Sequence, residues 1–256
     1  MPHDPSSPVR PSGPAASVRT AVVWEVLSAA LAEADPHSRG LDVVDAGGGT
    51  GGFAVPLAEA GHRVTVVDPS PDSLAALARR VAERGLEGRV TGVQGDLSEL
   101  AGLVPADSAD LLLCHSVLEV VDDPADALTG VAAVLREGGR LSLLAANRDA
   151  AVLARALAGH PDEAARALTD PSGRFGPTDG MRLRFTAGAL TELVAAAGLV
   201  VEQLHGVRVV SDLVPSAVLD SEPGGAASLL ALERALSSRL PFRDVATQLH
   251  RLAVRR

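Results

Sequence analysis

Lysine and tyrosine are missing from this chain, and cysteine occurs once. Without lysine, all 23 basic residues are arginines, so neither a Schiff-base lysine nor a phosphate-loop lysine is available. The single thiol, Cys114, excludes an internal disulfide and a cysteine-rich zinc site, and it fits a reducing compartment. It follows a wholly apolar run and reads as a small core residue rather than a nucleophile. Aromatic side chains are limited to Trp24 and four phenylalanines, which is little on which to stack nucleobases. No apolar run approaches the roughly 20 residues that span a bilayer, and the opening MPHDPSSPVR lacks the apolar core of a signal peptide. A soluble, cytoplasmic protein without a membrane partner is expected.

The 256 residues, 46% of them hydrophobic, suffice for one large domain with a substantial core. The net charge of −9 is unevenly spread: residues 1–150 hold 21 acids against 11 arginines, residues 151–256 hold 11 against 12. A polyanion would meet less repulsion on the C-terminal part. The chain is organised around VVDAGGGTGG, Val43 to Gly52, an apolar run that carries into Asp45 and then a glycine cluster. This pattern reads as a buried strand ending in a tight turn that opens a helix, a cradle for a cofactor. Asp45, Gly47, Gly49 and Gly51 make a DxGxGxG spacing, while Gly47, Gly49 and Gly52 also satisfy the GxGxxG of dinucleotide-binding enzymes.

Residues 1–16, rich in proline and serine, are expected to be disordered, and residues 17–256 to form the domain. Ser17 to Ala34 has helical periodicity, with Arg19 in its first turn as either a surface or a ligand-facing residue. A second strand follows the glycine loop and ends at Asp68, 19 residues after Gly49, where a carboxylate faces a ribose in doubly wound folds. A third strand ends at Gly95-Asp96, and Asp96 could either cap the next turn or face a ligand. The fourth strand and its following loop, Ala109 to Val121, bring His115, Ser116 and Glu119 to the carboxyl edge of the sheet, where open parallel sheets bind ligands. His115 and Glu119 are four apart, but no third ligand accompanies them, so no metal is expected; Glu119 reads as a helix-surface residue, the alternative being a group that orients His115. A helix over Asp123–Arg136 and a fifth strand ending at Asn147 complete the alternation of an α/β, doubly wound, Rossmann-like sheet. The alternation breaks over 148–185, where two helical patches and a Gly- and Pro-rich loop form an insertion, expected to be a lid after the fifth strand. A helix Thr186–Ala197, a strand or hairpin around LVVEQLHGV, a helix from Ala226 and a last strand in VATQLHRLAV finish the chain.

The segments VRTAVVWEVL, DAGGGTG, CHSVLEVVDDP, HGVRVVSDL and LLALERALSSRLPFRDVATQLHRLAVRR together resemble the SmtA/CmoM-like branch of the class I S-adenosylmethionine (SAM) methyltransferases. That resemblance implies a seven-stranded sheet whose last strand inserts beside the fifth, SAM as cofactor, and transfer of methyl to the carboxylate of 5-carboxymethoxyuridine at the wobble position of tRNA. It further implies that Arg19, Gly47, Gly48, Asp68, Asp96 and His115 contact the cofactor, beside Asp45 and Gly49 of the loop. Alternatives are a small-molecule acceptor, a non-catalytic SAM-binding protein, or a nucleotide-dependent oxidoreductase. A carboxylate acceptor is already ionised near neutral pH and needs a cationic clamp rather than a base, for which Arg182, Arg184 and Arg208 are the candidates. A hydroxyl acceptor would call on His115 as general base.

Overall fold

Local signals start and stop most of the elements. The computed structural model describes residues 14–215 and 224–256. Helix α1 (Pro14–Ala34) leads into strand β1 (Asp42–Ala46), α2 (Ala54–Glu59) and β2 (Arg63–Asp68). In α3 (Pro71–Arg84), the Ser70 hydroxyl accepts from the Ser73 amide, Pro71 occupies the first turn, and Gly85 at φ 65° stops the helix. Then come β3 (Val90–Gln94), the short α4 (Leu100–Leu103) and β4 (Ala109–His115). Asp123 caps α5 (Pro124–Val134) through the amides of Ala125 and Asp126. The fifth strand, β5 (Leu135–Ala146), runs directly out of α5, and the helix expected to reach Arg136 ends earlier. Gly138 at φ 77° lets EGG form an irregularity within the strand instead of a separate turn.

The remaining elements are α6 (Arg148–Leu157), α7 (Pro161–Thr169), α8 (Ala187–Ala196), β6 (Leu199–Val207), α9 (Gly225–Leu236) and β7 (Gln248–Arg255). The sheet order is β3-β2-β1-β4-β5-β7-β6, parallel except for β7, which pairs antiparallel with both β5 and β6. The expected seven strands, with the last inserted beside the fifth, are all present. The closing pair β6 and β7 is joined through α9 rather than by a tight hairpin. Helix α1 begins three residues before the expected boundary, and the rest of the expected tail, residues 1–13, lies outside the described residues.

Period-two alternation divides the sheet's side chains between two cores. Leu112, Cys114, Leu141 and Leu143 face α5 and α8, whereas Leu111, Leu113 and Leu144 face α1, α2 and α3. Cys114 is fully buried and its thiol is pushed upward by burial, which removes it from nucleophilic chemistry. Because every parallel strand ends at one edge, the glycine loop, His115, Asn147 and Arg208 converge there. The insertion over 148–185 leaves from and returns to this edge: Arg148 N donates to Phe185 O, and Phe185 N donates to Ala146 O.

Candidate functional site

The glycine loop turns sharply out of β1, and Gly47 N donates to Val67 O. Gly47 has φ 73°, and a Cβ there would fall 2.4 Å from Val117 Cγ2. A Cβ on Gly48 would fall 2.5 Å from Asp45 Oδ2. Only bare backbone fits between the two walls. Asp45 is tucked under this loop, 2% exposed, with Oδ2 buried and unpartnered. Burial, reinforced by the charge of Asp68, pushes its carboxyl up to about 7. Asp68 closes the other side, Oδ2 accepting from Gly49 N at 2.9 Å and Oδ1 from Ser70 N at 2.9 Å. A carboxylate offers about four acceptor sites, so two remain for a ligand.

Asp96 is exposed and caps the turn after β3: its Oδ1 accepts from Ser98 N at 2.8 Å, and its own amide is bound by Glu99. Arg19 is exposed and lies 3.5 Å from Asp212, whose other oxygen binds Arg208 at 2.6 Å. Two guanidiniums thus share one carboxylate, and one positive charge is left over. Arg208 is held at φ 60°, and Ser116, at the end of β4, at φ 56°. Strained backbone of this kind concentrates at functional sites. Gln248 at the start of β7 donates to Ser116 Oγ at 2.9 Å.

His115 ends β4, beside Ser116. The edge of Phe53 packs against it at a centroid distance of 4.7 Å, and Phe53 stacks on Trp24 at 4.8 Å. Its Nε2 lies 2.9 Å from Ser142 Oγ, and its Nδ1 is buried without a partner. Desolvation drives the ring's pKa down to about 3, so it is neutral at physiological pH.

Residues 44–143 match the family described as a methyltransferase domain. Over 145 residues the chain is 34% identical to the tRNA 5-carboxymethoxyuridine methyltransferase of Escherichia coli K12, covering 57% of this chain and 54% of that protein. Over 123 residues it is 36% identical to a ubiquinone biosynthesis O-methyltransferase of Methylocella silvestris, covering 47% and 45%. The chain thus spans about half the length of the curated relatives it matches. Among solved structures, a SAM-dependent methyltransferase from Mesorhizobium loti superposes with a TM-score of 0.59 at 21% identity, covering 93% of this chain and all of that one, which supports the class I fold.

The family that residues 44–143 match uses SAM, and the glycine loop with its two carboxylates offers backbone and acceptor atoms to such a cofactor. Asp45 and Asp68 stand behind the loop, Asp45 Oδ2 is unpartnered, and the loop admits bare backbone only. No group of three or more His, Cys, Asp or Glu among the described residues is arranged to hold a metal ion.

Three expectations about the site are corrected by its side chains. Arg184 is no free clamp: it is nearly buried, forked onto Asp179 through Nη1 at 2.5 Å and Nη2 at 3.0 Å, and spent on holding the insertion loop together. Arg182 is exposed and bound to Asp122 at 2.5 Å, beside the loop after β4. Glu119 is not a helix-surface residue and does not orient His115. It sits in a turn, 2% exposed, accepting from Ala146 N at 2.6 Å, with Oε2 unpartnered and its pKa raised by burial.

Arg148 is a further residue of this edge. At the carboxyl end of β5 its stem lies along Gly173, where a Cβ would come 3.1 Å from its Cγ and Cδ, and its Nε is buried without a partner. It forms no ion pair among the described residues, whereas Arg182, Arg184 and Arg208 each hold a carboxylate. Its position next to the Asn147 helix cap was the only available signal. A shallow cavity of about 510 Å³ on the insertion, lined by Arg166, Arg174 and Pro177 among others, shares no residue with the crevice.

Proposed function

We propose that this protein transfers a methyl group from SAM to a carboxylate oxygen of an anionic acceptor, 5-carboxymethoxyuridine in tRNA being the acceptor that sequence similarity favours. One observation carries the choice of an ionised acceptor: His115, the imidazole at the end of β4, is neutral, desolvated and bound through Nε2, with a pKa near 3. So weak a base would do little to deprotonate a hydroxyl near neutral pH. A carboxylate requires no such step.

SAM supplies an activated methyl on a sulfonium, and the residues of this chain hold, orient and desolvate the reactants. In this reading Gly47, Gly48 and Gly49 lay bare backbone against the cofactor. Asp68 accepts from its ribose hydroxyls with the two free acceptor sites, and Asp96 reaches its base with the oxygen not used in the cap. Arg19 and Arg208 direct their surplus charge at the methionine carboxylate. Arg148, released from any carboxylate of the chain, holds the acceptor's carboxylate, and the 148–185 insertion acts as a lid that excludes water. Orientation of this sort is worth roughly 7–11 kcal/mol.

A second reading, a small apolar metabolite as acceptor, is favoured by Leu153, Leu157 and Phe242, which are exposed on the insertion and the turn before β7. The net charge of −9 also opposes phosphate binding. Transfer of labelled methyl to total tRNA and, separately, to a small-molecule extract decides between them, with Arg148→Gln and His115→Ala as controls. A methyl ester on a wobble uridine supports the first reading; label confined to a neutral metabolite overturns it.

A further inference from the structure

Arg19 and Arg208 come from elements far apart in sequence, α1 and the turn that follows β6, and meet at Asp212. Both guanidiniums are open to a ligand, with side chains 61% and 30% exposed. Whether they meet depends on how the turn after β6 is folded.

That turn starts from Arg208 itself, a non-glycine residue at φ 60°. A left-handed residue can turn the amides that follow it toward a common side, as in the nests that bind anions. Here the chain supplies the anionic group. Val209 N donates to Glu233 Oε2 at 3.0 Å, while Val210 N and Ser211 N donate to Oε1 at 2.8 and 2.5 Å. Glu233 belongs to α9 and is 1% exposed. A carboxylate that binds three successive amides leaves the turn little freedom, and its removal would strand the buried N–H groups of Val209 and Ser211.

Helix α9 is in turn tied to both arginine-bearing elements. Arg234, next to Glu233, pairs with Glu25 of α1, the helix that carries Arg19. At the end of α9 the Ser237 carbonyl accepts from Gly206 N at 2.7 Å, on the strand that leads into Arg208. The helix thus braces the two halves of one cationic cluster.

We infer that Glu233 is a positioning residue for cofactor binding: by holding the amides of 209–211 it fixes Arg208, and through Asp212 also Arg19, where they receive a carboxylate. It touches no ligand and acts through Arg208. The inference rests on the reading that these arginines meet the carboxylate of the methionine part of SAM.

Calorimetric titration of the full-length protein with S-adenosylhomocysteine and with methylthioadenosine, which lacks the amino-acid carboxylate, tests it. Glu233→Gln is expected to weaken S-adenosylhomocysteine about tenfold and to leave methylthioadenosine unchanged. Arg208→Gln should do the same, and adding Glu233→Gln to it should cost less than about twofold more, because the two act as a unit. Equal loss for both ligands, or a full further loss on the Arg208→Gln background, would make Glu233 a purely structural residue and overturn the inference. An effect of Arg208→Gln without one of Glu233→Gln overturns the inference alone, whereas an Arg208→Gln protein with unchanged affinity removes the carboxylate reading and the inference with it. Amide hydrogen exchange of the wild type provides a check that needs no variant: the 209–211 amides should be protected before any ligand is added. Free exchange there until S-adenosylhomocysteine binds would overturn the inference even if Glu233→Gln does not fold.

Discussion

The two edges of the sheet are built from similar residues to opposite ends. At the amino edge, Arg136 spans Asp42 at 2.9 Å and Asp110 at 2.6 Å, and the buried His62 accepts from Leu41 N through Nδ1. Arg136 and its two aspartates are mutually paired there. At the carboxyl edge the corresponding atoms are left waiting: Asp45 Oδ2, His115 Nδ1, Glu119 Oε2, Arg148 Nε and Arg208 Nε are all buried and unpartnered. No buried, unpartnered side-chain atom is found at the amino edge among the described residues. Unsatisfied buried polar atoms are costly; most of those among the described residues gather at the carboxyl edge, and the Nδ1 atoms of His205 and His250 lie within the sheet.

The contrast breaks most sharply at the glycine loop. Gly47→Ala combines a left-handed backbone with a collision against Val117, and is expected to weaken SAM binding by 100-fold or more, about 2.7 kcal/mol, in a calorimetric titration. The charge state of the carboxyl edge comes next. A buried histidine with a depressed pKa contributes stability that is full above pH 6.5 and falls as the pH drops below it, by up to about 1.4 kcal/mol per unit. His250→Gln should therefore flatten the acid side of a urea-midpoint profile relative to wild type. Asp45, raised to about 7, acts in the opposite sense: its contribution is full below pH 3.8 and is lost as the pH rises through 7, so Asp45→Asn should gain stability at pH 8.

Ligand contacts give smaller changes. Asp68→Ala is expected to weaken SAM at least tenfold, about 1.4 kcal/mol. Arg148→Gln should raise the KM of a carboxylate acceptor by a similar factor and leave the SAM dissociation constant unchanged; an equal loss in both would place Arg148 elsewhere. The smallest effect belongs to the satisfied edge. Arg136→Ala, which breaks a half-exposed pair, should cost about 1 kcal/mol or less of unfolding free energy with no change in SAM affinity.

The alternating pattern made most of the fold legible, and the glycine loop and Asp68 located the edge where ligands would bind. Misreadings arose where a neighbour remote in sequence decided the outcome. Glu119 followed a helical-looking spacing, yet it turns inward because the Ala146 amide at the end of β5 requires an acceptor. Arg184 looked like Arg182 in sequence and is neutralised by Asp179 across the insertion loop, while Arg148 carried no signal of its own.

Composition and periodicity by themselves determined the α/β alternation, the two-faced core and the glycine turn, because each depends on residues within one or two turns or strands of one another. Only the tertiary structure decided which arginines keep a free charge and how His115 is held. Those properties depend on contacts such as Ser142 to His250 and Arg208 to Asp212, made when strands and loops are brought together at one edge and water is removed from between them.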